Sequence, residues 1–163
     1  MGNFNQTSYT LQHAKAVAGM VADSEVNNTI SKVNTTAAVI PYGRFVARDG
    51  DQGMKALLAT SIAADVVGVT RYELNRAQAD GTAMGVPVDR DGSVVTMGAI
   101  YVESIVTAVA GAPAFAVVAQ GANTGKVSNA AGADATLAVA VQGVYAEAAT
   151  AGQLAKISLR IGG

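Results

Sequence analysis

Leu154-Ala155-Lys156-Ile157-Ser158-Leu159-Arg160-Ile161 is the stretch whose reading decides the fold. Ala155, Ile157, Leu159 and Ile161 alternate with Leu154, Lys156, Ser158 and Arg160, so apolar side chains recur at every second position. A backbone that sends successive side chains to opposite faces turns this into one apolar and one wetter face, the mark of a half-buried β-strand. The same texture extends back to Ala37. Short apolar runs are broken by Gly, Asp and Asn at intervals of about ten residues, which is the all-β pattern.

Candidate strands are Ala37 to Arg48, Val66 to Tyr72, Met84 to Val88, Ser93 to Ser104, Ala114 to Ala119, Leu137 to Tyr145 and Leu154 to Ile161. The turns between them fall at Asp49-Gly50-Asp51, Asp80-Gly81, Asp91-Gly92, Gly111-Ala112-Pro113, Ala122-Asn123-Thr124-Gly125 and Ala151-Gly152. These residues initiate turns or tolerate positive φ. One helix is expected, Gly53 to Ala64, where Met54, Leu57, Leu58 and Ile62 follow a helical spacing. Ala130 to Ala140, low in complexity, reads as a loop entering a strand.

Residues 1–35 differ. Asn, Gln, Ser and Thr dominate, and Phe4, Tyr9 and Leu11 stand alone before the short apolar patch from Ala16 to Ala22. Two readings stay open for this region: a helix from Leu11 to Ala22, or an extended arm lying on another surface. The chain therefore divides into an amino-terminal arm, residues 1–35, and a β-rich body, residues 36–163.

Half of the 163 residues are hydrophobic, but Ala, Val and Gly make up more than two fifths of the chain. Small side chains each bury little area, so the core of a lone chain is thin and self-association or docking is expected. With 14% charged residues and a formal net charge of −1, nothing supplies the basic footprint that nucleic acid requires. Arg44/Arg48 and Arg71/Arg76 sit beside acidic residues and read as solvated strand edges. The amino terminus lacks the basic start and apolar run of an export signal. The uncharged run Ser104 to Gly125 is interrupted by Gly111, Pro113 and Gly121, and reads as two strands rather than a membrane span.

Chemistry is sparse. There is no cysteine, hence no disulfide and no thiolate metal site, and the only histidine, His13, lies in the arm. Asp49/Asp51 and Asp89/Asp91 lack the remaining ligands of a calcium loop and read as turn residues. Gly121-Ala122-Asn123-Thr124-Gly125-Lys126-Val127 is one residue short of a phosphate loop, with Val127 where a hydroxyl must reach magnesium. Glu73, Glu103 and Glu147 could pair as acid and base only if a sheet brought them together, and read instead as charged residues on the outer faces of strands. No catalytic residue, metal ligand or cofactor site is expected.

Several stretches together resemble the structural cement proteins of tailed-phage capsids. They are Ala18-Gly19-Met20-Val21-Ala22-Asp23, Ala38-Val39-Ile40-Pro41-Tyr42-Gly43-Arg44-Phe45-Val46, Asp65-Val66-Val67-Gly68-Val69-Thr70, Met97-Gly98-Ala99-Ile100-Tyr101-Val102, and Gly111-Ala112-Pro113-Ala114-Phe115-Ala116-Val117. With Ala151 to Ile157 they cover most of the chain, and their order and spacing carry the likeness. Ala112-Pro113 stands where the family usually has Gly-Asp, and the arm lacks the family's Tyr-Pro pair. The resemblance implies a jelly-roll-like β-sandwich or barrel body with an extended N-terminal arm. It further implies a dimer or trimer on the outer surface of a capsid, bridging neighbouring major capsid proteins. Phe4, Tyr9, Met20 and Val21 are the expected contacts with the shell or a sister subunit, since large apolar residues in a polar arm have no core to fill. Val39, Phe45, Val69, Ile100, Val102, Phe115, Val117, Ile157 and Leu159 are the expected core. Truncation of residues 1–30 is expected to leave a folded body that no longer binds shells. The competing classes are another virion subunit, such as a tail-tube, head-fibre or lattice protein, which would polymerise alone, and a β-sandwich enzyme, which would need clustered carboxylates and aromatic platforms.

Overall fold

The computed structural model describes residues 16–22, 26–74, 84–118, 120–132 and 138–161. Its strands are β1 (Asn28–Asn34), β2 (Ile40–Pro41), β3 (Phe45–Asp49), β4 (Gly53–Ala56), β5 (Val66–Thr70), β6 (Gly85–Val86), β7 (Asp91–Glu103), β8 (Pro113–Val117), β9 (Val127–Ser128), β10 (Ala138–Tyr145) and β11 (Leu154–Arg160). Nine of them form one sheet in the order β1-β4-β3-β5-β7-β11-β10-β8-β9, while β2 and β6 pair separately. Because β1 also pairs with β7, the strands β1, β4, β3, β5 and β7 close into a ring. The sheet continues from β7 through β11, β10, β8 and β9. A parallel bridge from Val127 to Ser104, the residue after β7, brings β9 back towards the start of this second set. The body is thus barrel-like, and β7, 13 residues long, is common to both sets.

That arrangement explains why the central strands read as unbroken apolar runs rather than alternating ones. Phe45 and Val46, Val66 and Val67, and Val94 and Val95 are neighbours in sequence, so each pair points to opposite faces. Val46, Val67 and Val94 join Tyr42, Met54 and Val86 in one core. Phe45, Val66 and Val95 join Val69, Ile100, Tyr145, Ile157 and Leu159 in the other. A strand covered on both faces has no wet side, so every position of β5 is buried. β11 lies at the border of the second core and keeps its alternation: Ala155, Ile157 and Leu159 are buried and the residues between them are partly exposed. Gly98 adopts φ +115°, and a Cβ there would stand 2.8 Å from Asn27 Cβ. It marks the point where the partner along one edge of β7 changes from β1, which ends at the Asn28–Met97 pair, to Val21 opposite Ile100.

The all-β expectation holds, with corrections at particular elements. The helix expected over Gly53 to Ala64 is instead β4, a loop, and a short 3-10 turn at Ala63–Asp65. Its apolar residues do not share a face: Met54 enters one core, Leu57 the other, and Leu58 and Ile62 are exposed. The strand expected from Ala37 to Arg48 is broken into β2 and β3 at Gly43, which takes φ +70°. The turn expected at Asp91-Gly92 lies earlier, at Val88-Asp89, where Asp89 has φ 55°. Asp91 and Gly92 already belong to β7, and a Cβ on Gly92 would meet Val86 Cγ2 at 2.5 Å. Phe115 and Val39, expected in the core, are only partly buried, whereas Phe45, Val69, Ile100, Val102, Val117, Ile157 and Leu159 are buried. Residues 28–34, read as part of the arm, form β1 within the ring, so a truncation at residue 30 would cut into the barrel.

Two buried polar residues hold the connections. Asn34 donates through Nδ2 to the carbonyls of Ala38 (2.8 Å) and Val86 (3.0 Å), and its Oδ1 accepts from Thr36 N (2.9 Å) and Thr36 Oγ1 (2.7 Å). The loop after β1 is thereby fixed to β6. Thr70 donates from Oγ1 to Pro41 O at 2.8 Å and accepts from Arg44 N at 3.0 Å, tying the break between β2 and β3 to the end of β5. Hydrogen bonds of this kind offset the cost of desolvating the buried polar groups.

Candidate functional site

Residues 16–22 form a strap laced onto the body. Val17 O accepts from Met20 N (3.1 Å), closing a turn through Ala18 and Gly19. Gly19 N donates to Tyr101 O (2.8 Å), Tyr101 N to Met20 O (3.0 Å), Ala22 N to Ala99 O (2.8 Å) and Tyr72 N to Gly19 O (2.8 Å). The strap therefore bonds to the second half of β7 on one side and to the residues after β5 on the other. Its approach is closer than side chains allow: a Cβ on Gly19 would lie 2.7 Å from Gly43 N, and one on Gly43 would lie 2.6 Å from Gly19 N. Both glycines have positive φ, so two independent constraints demand the missing side chains here.

Of the residues expected at the interface, Met20 is 41% exposed on this strap, and Val17 beside it is 44% exposed. Val21 pairs with Ile100 and packs against the larger core, which leaves part of its surface outward. Of the two readings for residues 11–22, the described part, from Ala16, is extended with a turn and contains no helix. Phe4, Tyr9 and His13 lie outside the described residues. Val26, Leu58, Ile62, Met97 and Val109, none of them among the expected interface residues, also have exposed side chains. The signal available for Leu58 and Ile62 was misread as a helical face.

Several of the charged groups considered as chemistry are engaged structurally. Glu103, at the end of β7, pairs with Lys126 and with Arg44, whose Nη2 stands 3.8 Å from Oε2. Arg44, expected on a solvated edge, is half-buried, and this burial lowers its pKa while Glu103 acts in the opposite direction. Asp49 accepts from Thr35 Oγ1 (2.7 Å) and from Lys55 Nζ (3.0 Å), and these two partners hold its carboxyl below the usual range. Glu73 accepts from Ser93 N at 3.2 Å. The Gly121-to-Val127 stretch is a 3-10 turn closing the β8–β9 hairpin, with Gly125 N donating to Val117 O at 2.8 Å. Among the described residues no three His, Asp or Glu side chains gather as a metal site would require.

What the described residues assemble is a β body with a strap bearing outward apolar side chains, on a chain whose formal net charge is −1. These features define an all-β protein with an apolar-bearing strap bonded to its body. The chain belongs to the structural cement protein family of phages: the family model described as structural cement protein (E217 gp24/Pam3 gp6) matches residues 4–160. It is accordingly a structural virion protein. A solved structure titled "The capsid of Myoviridae Phage XM1" contains a chain with the same fold, at TM-score 0.71 and 23% identity over 97% of this chain and 98% of that one. The head fiber gp8.5 N base of bacteriophage phi29 overlaps at TM-score 0.40 with 14% identity, over 82% of this chain and 94% of that one, too slight a correspondence to carry weight. No curated protein sequence matches the chain.

Proposed function

We propose that this protein binds the outer surface of a tailed-phage capsid and cements neighbouring major capsid proteins, acting without catalysis and as a dimer or trimer. The observation that carries this reading is the strap. It secures the root of residues 1–15 to β7 by backbone bonds while Val17 and Met20 face outward. Phe4, Tyr9 and Met20 supply apolar contacts to the shell or a sister subunit, and Val21 both anchors the strap and offers its exposed edge. Each buried apolar side chain of this size contributes about 1.5–3 kcal/mol, modest for one copy. Copies repeated around a lattice act multivalently, so a contact of roughly 800 Å² per partner suffices.

The test mixes the purified protein with undecorated shells of its phage, then measures copies bound and the temperature at which shells rupture. Full-length protein is expected to saturate the shells and raise the rupture temperature. A chain lacking residues 1–15, with strap and barrel intact, is expected to bind at least tenfold more weakly. Shells left bare and unstabilised by the full chain would refute cementing. Normal decoration by the shortened chain would move the contact away from the arm. Sizing the free protein separates a cement protein, which stops at a small oligomer, from a subunit that polymerises by itself.

A further inference from the structure

We propose that the free edge of β1 is a two-fold contact at which a second copy of this chain pairs as an antiparallel strand, making the protein a dimer. One edge of β1 is bonded to β7, with Ile30 opposite Val94 and Lys32 opposite Gly92. The other meets β4 only at its end, where Val33 lies opposite Gly53 and Asn34 opposite Met54. Backbone groups alternate between the two edges of a strand: Val33 N donates to Gln52 O on the β4 side, and Asn34 N to Arg90 O on the β7 side. Ser31 and Thr29, two and four residues before Val33, therefore direct both N–H and C=O to the β4 side, beyond the point that β4 reaches. Among the described residues neither has a hydrogen bond on that side. Thr29 Oγ1 is likewise buried without a hydrogen-bond partner.

An open edge of this kind binds extended backbone, and this one is complementary to itself. In an antiparallel pair whose two-fold axis passes beside Ile30, Thr29 of each copy lies opposite Ser31 of the other, and all four backbone groups of each edge find partners. The same register sets Thr29 against a serine hydroxyl, a favourable cross-strand pair, and rotation about χ1 delivers the orphaned Oγ1 to it. The two Ile30 side chains, partly buried against the smaller core, meet at the axis as a close, non-hydrogen-bonded pair. Strand edges that must stay single carry proline or charge, and Thr29 to Ser31 carry neither. Lys32, the only charged residue of β1, already donates to Asp51 O. The lysines of the two copies stand four strand positions apart, about 14 Å, beyond the screening length of roughly 8 Å at physiological salt. A two-fold contact closes on two copies, so of the dimer and trimer named above it selects the dimer.

The pairing is read in solution, away from any shell. The full chain at about 100 μM, a concentration suited to a contact of modest size, is expected to sediment with the mass of two chains. Ser31→Pro removes a donor that no bond within the barrel uses, a position where proline is tolerated. It is expected to leave thermal unfolding of the dilute protein nearly unchanged and to raise the dissociation constant of the dimer about tenfold or more. A dimer of unchanged strength in Ser31→Pro, or a full chain that sediments as a monomer or a trimer, overturns the proposal. The chain has no cysteine, so an introduced thiol reports alone. Ile30→Cys, at the axis where the two copies' Cα atoms come within disulfide reach, is expected to yield a covalent dimer on mild oxidation. Leu74→Cys, 83% exposed on the segment after β5, is expected to yield none. No cross-link at residue 30, or equal cross-linking at both positions, overturns the pairing. A monomer or trimer that still decorates shells would remove the β1 contact and leave cementing standing, whereas a β1 dimer that leaves shells bare would do the reverse.

Discussion

Tyr145 shows how much one side chain contributes where two strands meet the core. It is fully buried, and its hydroxyl lies 3.0 Å from Ser104 Oγ, which itself donates to Val106 O at 2.7 Å. Tyr145→Phe removes one hydrogen bond but leaves Ser104 with another acceptor, so the expected loss is about 1 kcal/mol in urea unfolding, without a change in the slope. Burial raises the phenol's pKa above its ordinary value of 10.0, although the Ser104 bond works against this. A raised folded-state pKa means that the stabilisation is complete below the unfolded value and is lost as pH rises through the folded one. Stability should therefore fall above about pH 10 in the native protein and fall less in Tyr145→Phe; parallel alkaline melts of the two would check this. The residue scale was partly legible in the sequence. Ile157 and Leu159 were assigned to the core from alternation alone, but nothing local distinguished Phe45, which is buried, from Phe115, which is not. Their difference comes from the partner strands on either face.

At the level of elements the strap is the feature most open to test. Gly19 and Gly43 cross at a distance that excludes a side chain on either, and both sit at positive φ. Gly19→Ala combines a backbone clash with an unfavourable conformation, and is expected to cost about 2 kcal/mol or to release the strap. Hydrogen exchange separates these outcomes: release would expose the amides of Ala22 and Tyr101, while the amides of β10 and β11 stay protected. Unchanged protection together with unchanged stability would show that the crossing is looser than described. The sequence located most strands to within a few residues, because alternation and Gly or Asp turns are local signals. It failed at β1 and β4, and it missed the two-residue β9. β1 is polar in composition because much of its surface is exposed, and β4 is a short strand whose apolar residues serve two cores.

The whole molecule is a barrel-like body of small side chains with a strap, residues 16–22, bonded to it, and its charge is close to balanced. Contacts made by Phe4, Tyr9 and Met20 would be apolar, so shell decoration is expected to weaken less than about threefold between roughly 50 and 500 mM salt. A steep salt dependence in a binding titration would instead place ionic contacts at the centre of the interface. By itself the sequence determined the fold class and the family. These are properties of period, composition and order along the chain. Only the tertiary structure decided that β1 closes a ring with β7, that β3, β5 and β7 are covered on both faces, and that residues 16–22 are bonded to β7 instead of lying free. Each depends on pairing between residues distant in the chain: Asn28 with Met97, Val21 with Ile100, and Gly19 against Gly43. Local pattern cannot encode such partners, because a strand's backbone bonds are indifferent to sequence and its neighbour is selected by how the whole chain packs.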